Sequence, residues 1–107
     1  MGKFVIKSTT RGYHFNLKSD NGQVILTSEK YSSKSGCYNG VDSVKANATD
    51  DGNYDKKMSA NNKYYFNLKA GNGEIIGTSE MYETASGRDN GIDSVKTNAP
   101  NASVVEE

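Results

Sequence analysis

A repeat with an offset of 51 residues constrains the fold of this chain more than any other feature. When the sequence is shifted by 51 positions, residues 13–48 align with residues 64–99 without a gap, and 22 of the 36 aligned positions are identical. A unit of about 50 residues buries little apolar surface by itself, and repeated units of this kind share a core with their neighbours. The sequence therefore predicts two copies of one structural unit around a common core.

Each unit contains two apolar runs separated by an Asn-Gly dipeptide, at residues 21–22 and again at residues 72–73. Asn-Gly is a strong hairpin signal, because both central residues of a type I′ turn have positive φ. A two-residue turn there places Leu17 opposite Leu26 and Asn16 opposite Thr27. Alternation along the strands then gives one polar face and one apolar face, which we expect to meet helices. The predicted apolar face holds Tyr13, Phe15, Leu17, Val24 and Leu26, and in the second unit Tyr64, Phe66, Leu68, Ile75 and Gly77.

A helix is predicted after the third strand of each unit, over residues 33–47 and 84–98. Ser33 and Thr84 are candidates for the N-terminal cap. Glycines at positions 40 and 91 lower helicity by up to ~1 kcal/mol each relative to Ala, so they mark either a close approach of the helix to the sheet or a break. Pro100 ends the second helix. The apolar stripe of the first helix is Cys37, Val41, Val44 and Ala48, and that of the second is Arg88, Ile92, Val95 and Ala99.

These elements predict an α+β fold of two β-β-β-α repeats. Six strands, near residues 3–9, 12–20, 23–29, 54–60, 63–71 and 74–80, are expected to form one antiparallel sheet with pseudo-twofold symmetry and both helices on one face. We expect a single domain over residues 1–107, with repeat one at 1–49, repeat two at 54–100 and a loose tail at 101–107. The predicted core comprises Tyr13, Phe15, Leu17, Val24, Leu26, Val41, Val44, Tyr64, Phe66, Leu68, Ile75, Ile92 and Val95.

The repeated motifs also resemble those of a known family. Tyr-x-Phe-Asn-Leu-Lys is followed by Asn-Gly, by Thr-Ser-Glu-x-Tyr and by Asn-Gly-Val/Ile-Asp-Ser-Val-Lys-x-Asn-Ala, in both repeats. This pattern closely resembles the YegP-like family of small bacterial proteins over nearly the whole chain. The resemblance implies tandem or dimeric units of three strands, a helix and a strand that join into a single sheet. The biochemical function of that family is unassigned, so the resemblance implies no catalytic or ligand-binding residue.

The charge balance disfavours two classes of partner. Thirteen basic residues match thirteen acidic ones, giving a formal net charge of zero. Duplex DNA and anionic membranes are bound largely through an excess of Lys and Arg, whereas single strands and small ligands remain open. The sequence lacks a signal-peptide core and a membrane-length apolar stretch, and its single cysteine fits a reducing compartment. We therefore expect a cytoplasmic monomer whose repeats act as an internal dimer.

The polar sheet face is the leading candidate for a binding surface. Antiparallel sheets with helices on one side normally have a solvated polar face, so ordinary solvent exposure and an interaction surface both account for the pattern. We interpret the chain as a non-enzymatic binding or interaction module with a protein or small-molecule partner and no cofactor. The candidate residues recur identically in the two repeats: Asn16, Lys18, Thr27 and Glu29, and Asn67, Lys69, Thr78 and Glu80.

Two alternative functions use the same region. In a small-molecule enzyme, Glu29 and Glu80 would act as a carboxylate pair beside Tyr31 and Tyr82; otherwise each Glu favours the positive N-terminus of the following helix. A single-stranded nucleic-acid binder would stack bases on exposed aromatic residues, and only Tyr65 qualifies on this face.

Nucleophilic and metal chemistry have little support in the sequence. Cys37 and His14 fall on opposite sides of the predicted sheet, which disfavours a catalytic dyad. Residues 50–55 are acidic, but their glycine is misplaced for a calcium loop, so a turn is expected there and no metal site is predicted.

Overall fold

The structure, a computed structural model, describes residues 2–107; Met1, where repeat one was expected to begin, lies outside the described residues. The first unit consists of β1 (Lys3–Thr9), β2 (Gly12–Lys18), β3 (Val24–Ser28) and α1 (Lys34–Asn47). A single 3₁₀ turn at Asp51–Asn53 leads to β4 (Tyr54–Met58), β5 (Tyr64–Lys69), β6 (Ile75–Thr78), α2 (Ala85–Asn98) and β7 (Ser103–Glu106). The six predicted strands and both predicted helices are therefore present, and a seventh strand follows α2.

The strands form one mixed sheet in the order β4-β5-β6-β3-β2-β1-β7. Each neighbouring pair is antiparallel except β1 and β7, which run parallel. The halves join at the middle, where β3 pairs with β6 and Thr27 lies opposite Thr78. The prediction of a six-stranded antiparallel sheet is therefore wrong in the number of strands and in the direction of the last one.

Residues near the C-terminus form an ordered edge strand, and the predicted loose tail is wrong for them. Val104 lies opposite Phe4 in the parallel register, and Ala102 just before the strand is buried. The Glu107 N–H donates a hydrogen bond of 2.9 Å to the Ile6 carbonyl. Valine favours strands, but the attachment depends on β1 offering a free edge beside the end of α2.

A side-chain clamp holds this last strand to the first helix. The carboxylate of Glu106 accepts a hydrogen bond of 2.9 Å from Lys34 and another from the hydroxyl of Tyr38. The equivalent positions of α2 carry Ala85 and Asp89. The second unit therefore lacks the clamp, which is consistent with β4 remaining an unpaired edge of the sheet.

The Asn-Gly turns are longer than predicted. In the first hairpin the Gly22 N–H donates to the Ser19 carbonyl at 2.9 Å, which closes a four-residue turn. Gly22 and its counterpart Gly73 have positive φ, at 84° and 87°, but the preceding asparagines do not. The type I′ turn is therefore not formed, because only one residue of each dipeptide takes the left-handed conformation.

A β-bulge restores the predicted register after each of these turns. Leu17 pairs with Leu26 as predicted, whereas Lys18 pairs with Val24, so Ile25 is an extra residue on β3. A bulge of this kind interrupts the strict alternation of side chains along a strand. The longer turn and the extra strand residue each shift the pairing by one residue in opposite directions, so Leu17 still pairs with Leu26 as predicted.

The bulges change which residues enter the core. Ile25 and Ile76, predicted for the polar face, are each only 5% exposed. Val24 is half-buried and Ile75 is 42% exposed, although both were predicted core residues. The prediction failed here because it applied unbroken alternation up to the turn.

Both helices pack on inward strand residues in a single hydrophobic cluster. Ser33 and Thr84 cap the helices as predicted, accepting hydrogen bonds from the N–H groups of Gly36 (3.0 Å) and Gly87 (2.9 Å). No helix within residues 2–107 is long and apolar enough to cross a membrane. The predicted core residues found buried are Phe15, Leu17, Leu26, Val41, Val44, Phe66, Leu68, Ile92 and Val95, with Tyr13 and Tyr64 partly buried; Phe4, Ile6 and Tyr54 complete the cluster from the first strand of each unit.

Candidate functional site

Four of the predicted binding residues form a continuous row across the middle of the sheet. Asn16 lies opposite Thr27, Thr27 opposite Thr78, and Thr78 opposite Asn67. Their strand neighbours point into the hydrophobic cluster, so alternation places the row on the face away from the helices. The register extends the row to Val5 and Val105 at one end and to Asp55 at the other.

The row is a tightly packed polar surface. The Thr78 hydroxyl donates a hydrogen bond of 2.8 Å to the Asn67 side-chain oxygen. Asn67 is only 8% exposed, and Asn16, Thr27 and Thr78 are half-buried. Short amide and hydroxyl side chains in this arrangement give a flat surface with hydrogen-bonding groups at its centre.

Lysines flank the row on the same face. Lys18 and Lys69, both predicted, lie two residues beyond the two asparagines, and Lys3 lies directly opposite Lys18. Lys69 is 3.1 Å from the carboxylate of Asp55, and its hydrogen bond lowers the pKa of that carboxyl. By alternation, the strand residues of this face with charged side chains are Lys3, Lys7, Lys18, Lys57, Lys69 and Asp55. The strands therefore give this face an excess of positive charge, part of which Glu107 balances from 3.8 Å beside Lys7.

The two predicted glutamates lie outside the row and apart from each other. Glu29 and Glu80 each follow the strand that contains Thr27 or Thr78, and these strands run in opposite directions. Their backbones are therefore about 13 Å apart, since a strand rises about 3.3 Å per residue. Each glutamate lies near the tyrosine of its own unit, Glu29 near Tyr31 and Glu80 near Tyr82, and the groove that Glu29 lines does not include Glu80.

The serine of the repeated Thr-Ser-Glu-x-Tyr motif makes hydrogen bonds that explain much of the motif. The Ser28 hydroxyl oxygen accepts the Phe15 N–H at 2.9 Å, and its hydroxyl donates to the carbonyl of Glu29 at 2.7 Å. Ser79 accepts the Phe66 N–H at 3.0 Å in the same way. Sequence reasoning missed these two serines, although a polar residue on the inward face of a strand was the available signal.

The tyrosine that ends the motif packs against the helix of its own unit. Tyr31 exchanges backbone hydrogen bonds of 2.8 and 2.7 Å with Tyr13, and its ring stacks on Phe15 with centroids 6.3 Å apart. A Cβ at Gly40 would lie 2.7 Å from Cζ of Tyr31 and closer still to the hydroxyl oxygen. Gly40 is therefore required where the tyrosine meets the helix, and α1 continues through it without a break; Gly91 and Tyr82 repeat the arrangement in α2.

The remaining chemistry-bearing residues are separated. Cys37 is fully buried in α1, and burial raises the pKa of its thiol. His14 alternates with the inward-facing Phe15, so it belongs to the opposite face of the sheet. The Asp50 carboxylate accepts the Gly52 N–H at 2.9 Å in the expected turn, and within residues 2–107 no three His, Cys, Asp or Glu side chains gather to hold a metal ion.

The fold defines a class of small α+β protein in which two β-β-β-α units share a sheet, and comparisons place the chain in a family of this class. The family described as "Domain of unknown function (DUF1508)" matches residues 9–55 and again residues 59–106. A Stutzerimonas stutzeri protein, "UPF0339 protein in ptx operon 5'region", is 54% identical over 98% of this chain and 96% of its own length. The Escherichia coli UPF0339 protein YegP is 48% identical over 92% of this chain and 89% of its own.

Solved structures show the same relationship. The solution NMR structure of Escherichia coli yegP, a protein of unknown function, superposes with a TM-score of 0.93 at 44% identity, covering 99% of this chain and 92% of that one. The Shewanella oneidensis UPF0339 structure gives 0.92 at 44% identity, covering 98% and 90%. The chain belongs to the DUF1508/UPF0339 family, which confirms the YegP-like resemblance and, through the two matches, the tandem repeat.

Proposed function

We propose that this chain is a non-enzymatic binding module that engages a protein partner through the open face of its sheet. The observation that carries the proposal is the continuous row of Asn16, Thr27, Thr78 and Asn67, to which both repeats contribute the same two residue types. We also propose that a pseudo-twofold axis passes between Thr27 and Thr78, because these residues are 51 positions apart and lie directly opposite each other.

The chemistry of the face indicates an acidic partner. The central amides and hydroxyls donate and accept hydrogen bonds, and lysines surround them. Lys3 and Lys18 lie opposite each other, and neither forms an ion pair within residues 2–107. Complementary charge mainly steers association and sets specificity, so a carboxylate-rich segment of a partner protein fits this surface.

Amide chemical shifts of the ¹⁵N-labelled chain test this proposal. On titration with an oligoglutamate peptide and then with a nucleic-acid-free cell lysate, we expect shifts centred on the row. The double substitution Lys18→Gln and Lys69→Gln should weaken the response. The matched control is Lys45→Gln with Lys96→Gln, which makes the same charge change at equivalent helix positions. Shifts confined to the helices, or equal losses in both double variants, would refute the proposal.

A second candidate function is binding of single-stranded nucleic acid. Lys7 lies opposite His14 on the open face, and Lys57 lies opposite Tyr65 in the second unit. One ring beside one lysine per repeat is the pairing that base stacking and phosphate contact require. Fluorescence anisotropy with an oligo(dU) probe tests it: Tyr65→Ala should reduce affinity by about 1–3 kcal/mol, and no binding by the wild-type chain at low salt would dismiss this function.

We also propose that the protein acts as a cytoplasmic monomer. The open edge strand β4 carries Asp55, Lys56 and Lys57, and charged side chains on an edge oppose pairing with another sheet. Sedimentation equilibrium should give the mass of one chain, whereas a dimer that dissociates when Lys56 is replaced by Thr would contradict the proposal.

A further inference from the structure

A groove lies beside each motif tyrosine, between the helix of one unit and the hairpin turn of the other. The first groove, of about 650 Å³, is bounded by α1, Tyr31 and the turn between β5 and β6. The second, of about 330 Å³, is bounded by α2, Tyr82 and the turn between β2 and β3. Both grooves therefore exist only because the two units pack together, and neither overlaps the central polar row.

The first groove combines carboxylates, neutral polar groups and an apolar wall. Glu29 and Glu74 line it together with Tyr31, and the exposed Ile75 and half-buried Ala70 add apolar surface. Lys, Arg and His are absent from the described residues that line it. The Glu29 carboxylate makes no ion pair within residues 2–107, so its charge is available to a ligand.

Both carboxylates of the first groove lie near the same tyrosine, Tyr31. Burial raises the pKa of Tyr31 most strongly, and electrostatic interactions with Cys37, Glu29 and Glu74 raise it further. Glu74 is held in position by Asn72, whose side-chain amide donates to the carboxylate at 2.9 Å and accepts the Glu74 N–H at 3.0 Å. The groove thus has one fixed and one free negative group beside a phenol.

The second groove has the same frame but one lining carboxylate, Asp20 at the position equivalent to Gly71, where the first groove has two. Gln23 occupies the position equivalent to Glu74, and Ile25 the position equivalent to Ile76. Burial and then Glu80, the counterpart of Glu29, raise the pKa of Tyr82, but Glu80 does not line this groove. The chain therefore contains its own comparison: two related grooves that differ in carboxylates at matched positions.

We propose that the first groove binds a linear alkyl diamine or polyamine, with ammonium groups at Glu29 and Glu74 and the methylene chain along Tyr31 and the exposed Ile75. Ammonium groups donate charge-assisted hydrogen bonds to carboxylates. A methylene chain matches the apolar wall, which a hydrated metal cation would not use.

Spermidine is the probe that tests the assignment, by isothermal titration and by amide shifts of the ¹⁵N-labelled chain. We expect shifts at Tyr31, Asn39 and Asn72. Glu29→Gln and Glu74→Gln should each weaken binding by about 1.5-fold to fivefold, the range for pairs that remain in contact with solvent. Glu74→Gln keeps an oxygen for the Asn72 amide, and an unchanged unfolding midpoint will show that the fold is intact.

A substitution in the second groove tests the same assignment by a gain of spermidine binding instead of a loss. Gln23→Glu gives the second groove, already lined by Asp20, a second carboxylate at the position equivalent to Glu74, and spermidine should then shift amides near Tyr82 as well. Magnesium chloride at equal ionic strength serves as the control for general attraction to acidic surface. Binding that is unchanged by Glu74→Gln, that maps to Asp50 and Asp51, or that magnesium abolishes at equal ionic strength would overturn the assignment.

Discussion

Gly40→Ala is expected to destabilise the protein, although alanine is the better helix former. The exchange favours a helix interior by up to about 1 kcal/mol. Here the new Cβ would lie 2.7 Å from Cζ of Tyr31 and 3.0 Å from Cε2 of Phe15. The tyrosine cannot shift freely, because its ring stacks on Phe15 and its backbone is bonded to Tyr13. Overpacking costs about 1–3 kcal/mol, and two ring contacts this short place the site in the upper half of that range. After the helix gain of up to about 1 kcal/mol, we expect a net loss of about 1–2 kcal/mol.

Urea unfolding with a matched control measures this loss. Gly36→Ala adds the same Cβ to the same helix, with Ser33 Oγ at 3.2 Å and the Tyr31 carbons at ordinary contact distances of 3.6 Å and beyond. We expect that control to stay within about 0.5 kcal/mol of the wild type. Gly40→Ala should also lower the melting temperature by about 5–15 °C, and Gly91→Ala should repeat the effect in α2.

A double-mutant cycle tests the stated cause. Tyr31→Phe removes the hydroxyl oxygen, the atom nearest the new Cβ, but leaves Cζ at 2.7 Å. The loss caused by Gly40→Ala should therefore be smaller, though not abolished, when Tyr31 is already Phe. A Gly40→Ala protein as stable as the wild type, or one whose loss is the same with and without the hydroxyl, would refute the reasoning.

Two further predictions concern the hydrogen bond of the buried Ser28 and the side-chain clamp at Glu106. Ser28→Ala leaves the buried Phe15 N–H without its acceptor, so unfolding free energy should fall by about 1–3 kcal/mol in urea melts; a loss below about 0.5 kcal/mol would show that the backbone finds another partner. The hydrogen bonds from Tyr38 and then Lys34 lower the pKa of Glu106, so its contribution is present above the ordinary value of 4.5 and declines as pH falls through the lowered pKa. Amide exchange of the last strand should accelerate in that acid range in the wild type, and Glu106→Gln should remove most of the pH dependence.

The sequence was sufficient for the repeat, the strand register and the helix caps, because each depends on local or duplicated residues. Ser33 and Thr84 accept hydrogen bonds from the first turns of their helices, and Leu17 pairs with Leu26 as the pattern indicates. The bulge at Ile25 was not predictable by alternation. The longer turn and the bulge compensate for each other, so the predicted pairing of Leu17 with Leu26 is correct although neither feature was predicted.

The seventh strand and the row of polar residues depend on contacts between distant parts of the chain. Residues 103–106 become a strand beside β1 and are held by a clamp that only the first helix carries. Thr27 and Thr78 were both candidates from the repeat, but their direct pairing depends on the β3–β6 junction. The grooves were missed for the same reason, since each takes its walls from both units.

Residues that are identical in the two repeats largely hold the backbone, whereas the differences between the repeats follow from their being joined in one chain. Ser28 and Ser79 satisfy strand N–H groups, so their recurrence needs no shared ligand.

At the centre of the sheet the repeat equivalent of Leu26 is Gly77, and a Cβ there would lie 2.8 Å from the Leu26 Cγ. Two leucines would collide at this junction and two glycines would leave it empty. A symmetric dimer of one repeat must carry the same residue on both sides, while a tandem chain can place Leu on one side and Gly on the other. The same freedom permits Glu74 against Gln23, so a charge difference between the two grooves is an outcome that duplication followed by divergence allows and strict symmetry forbids.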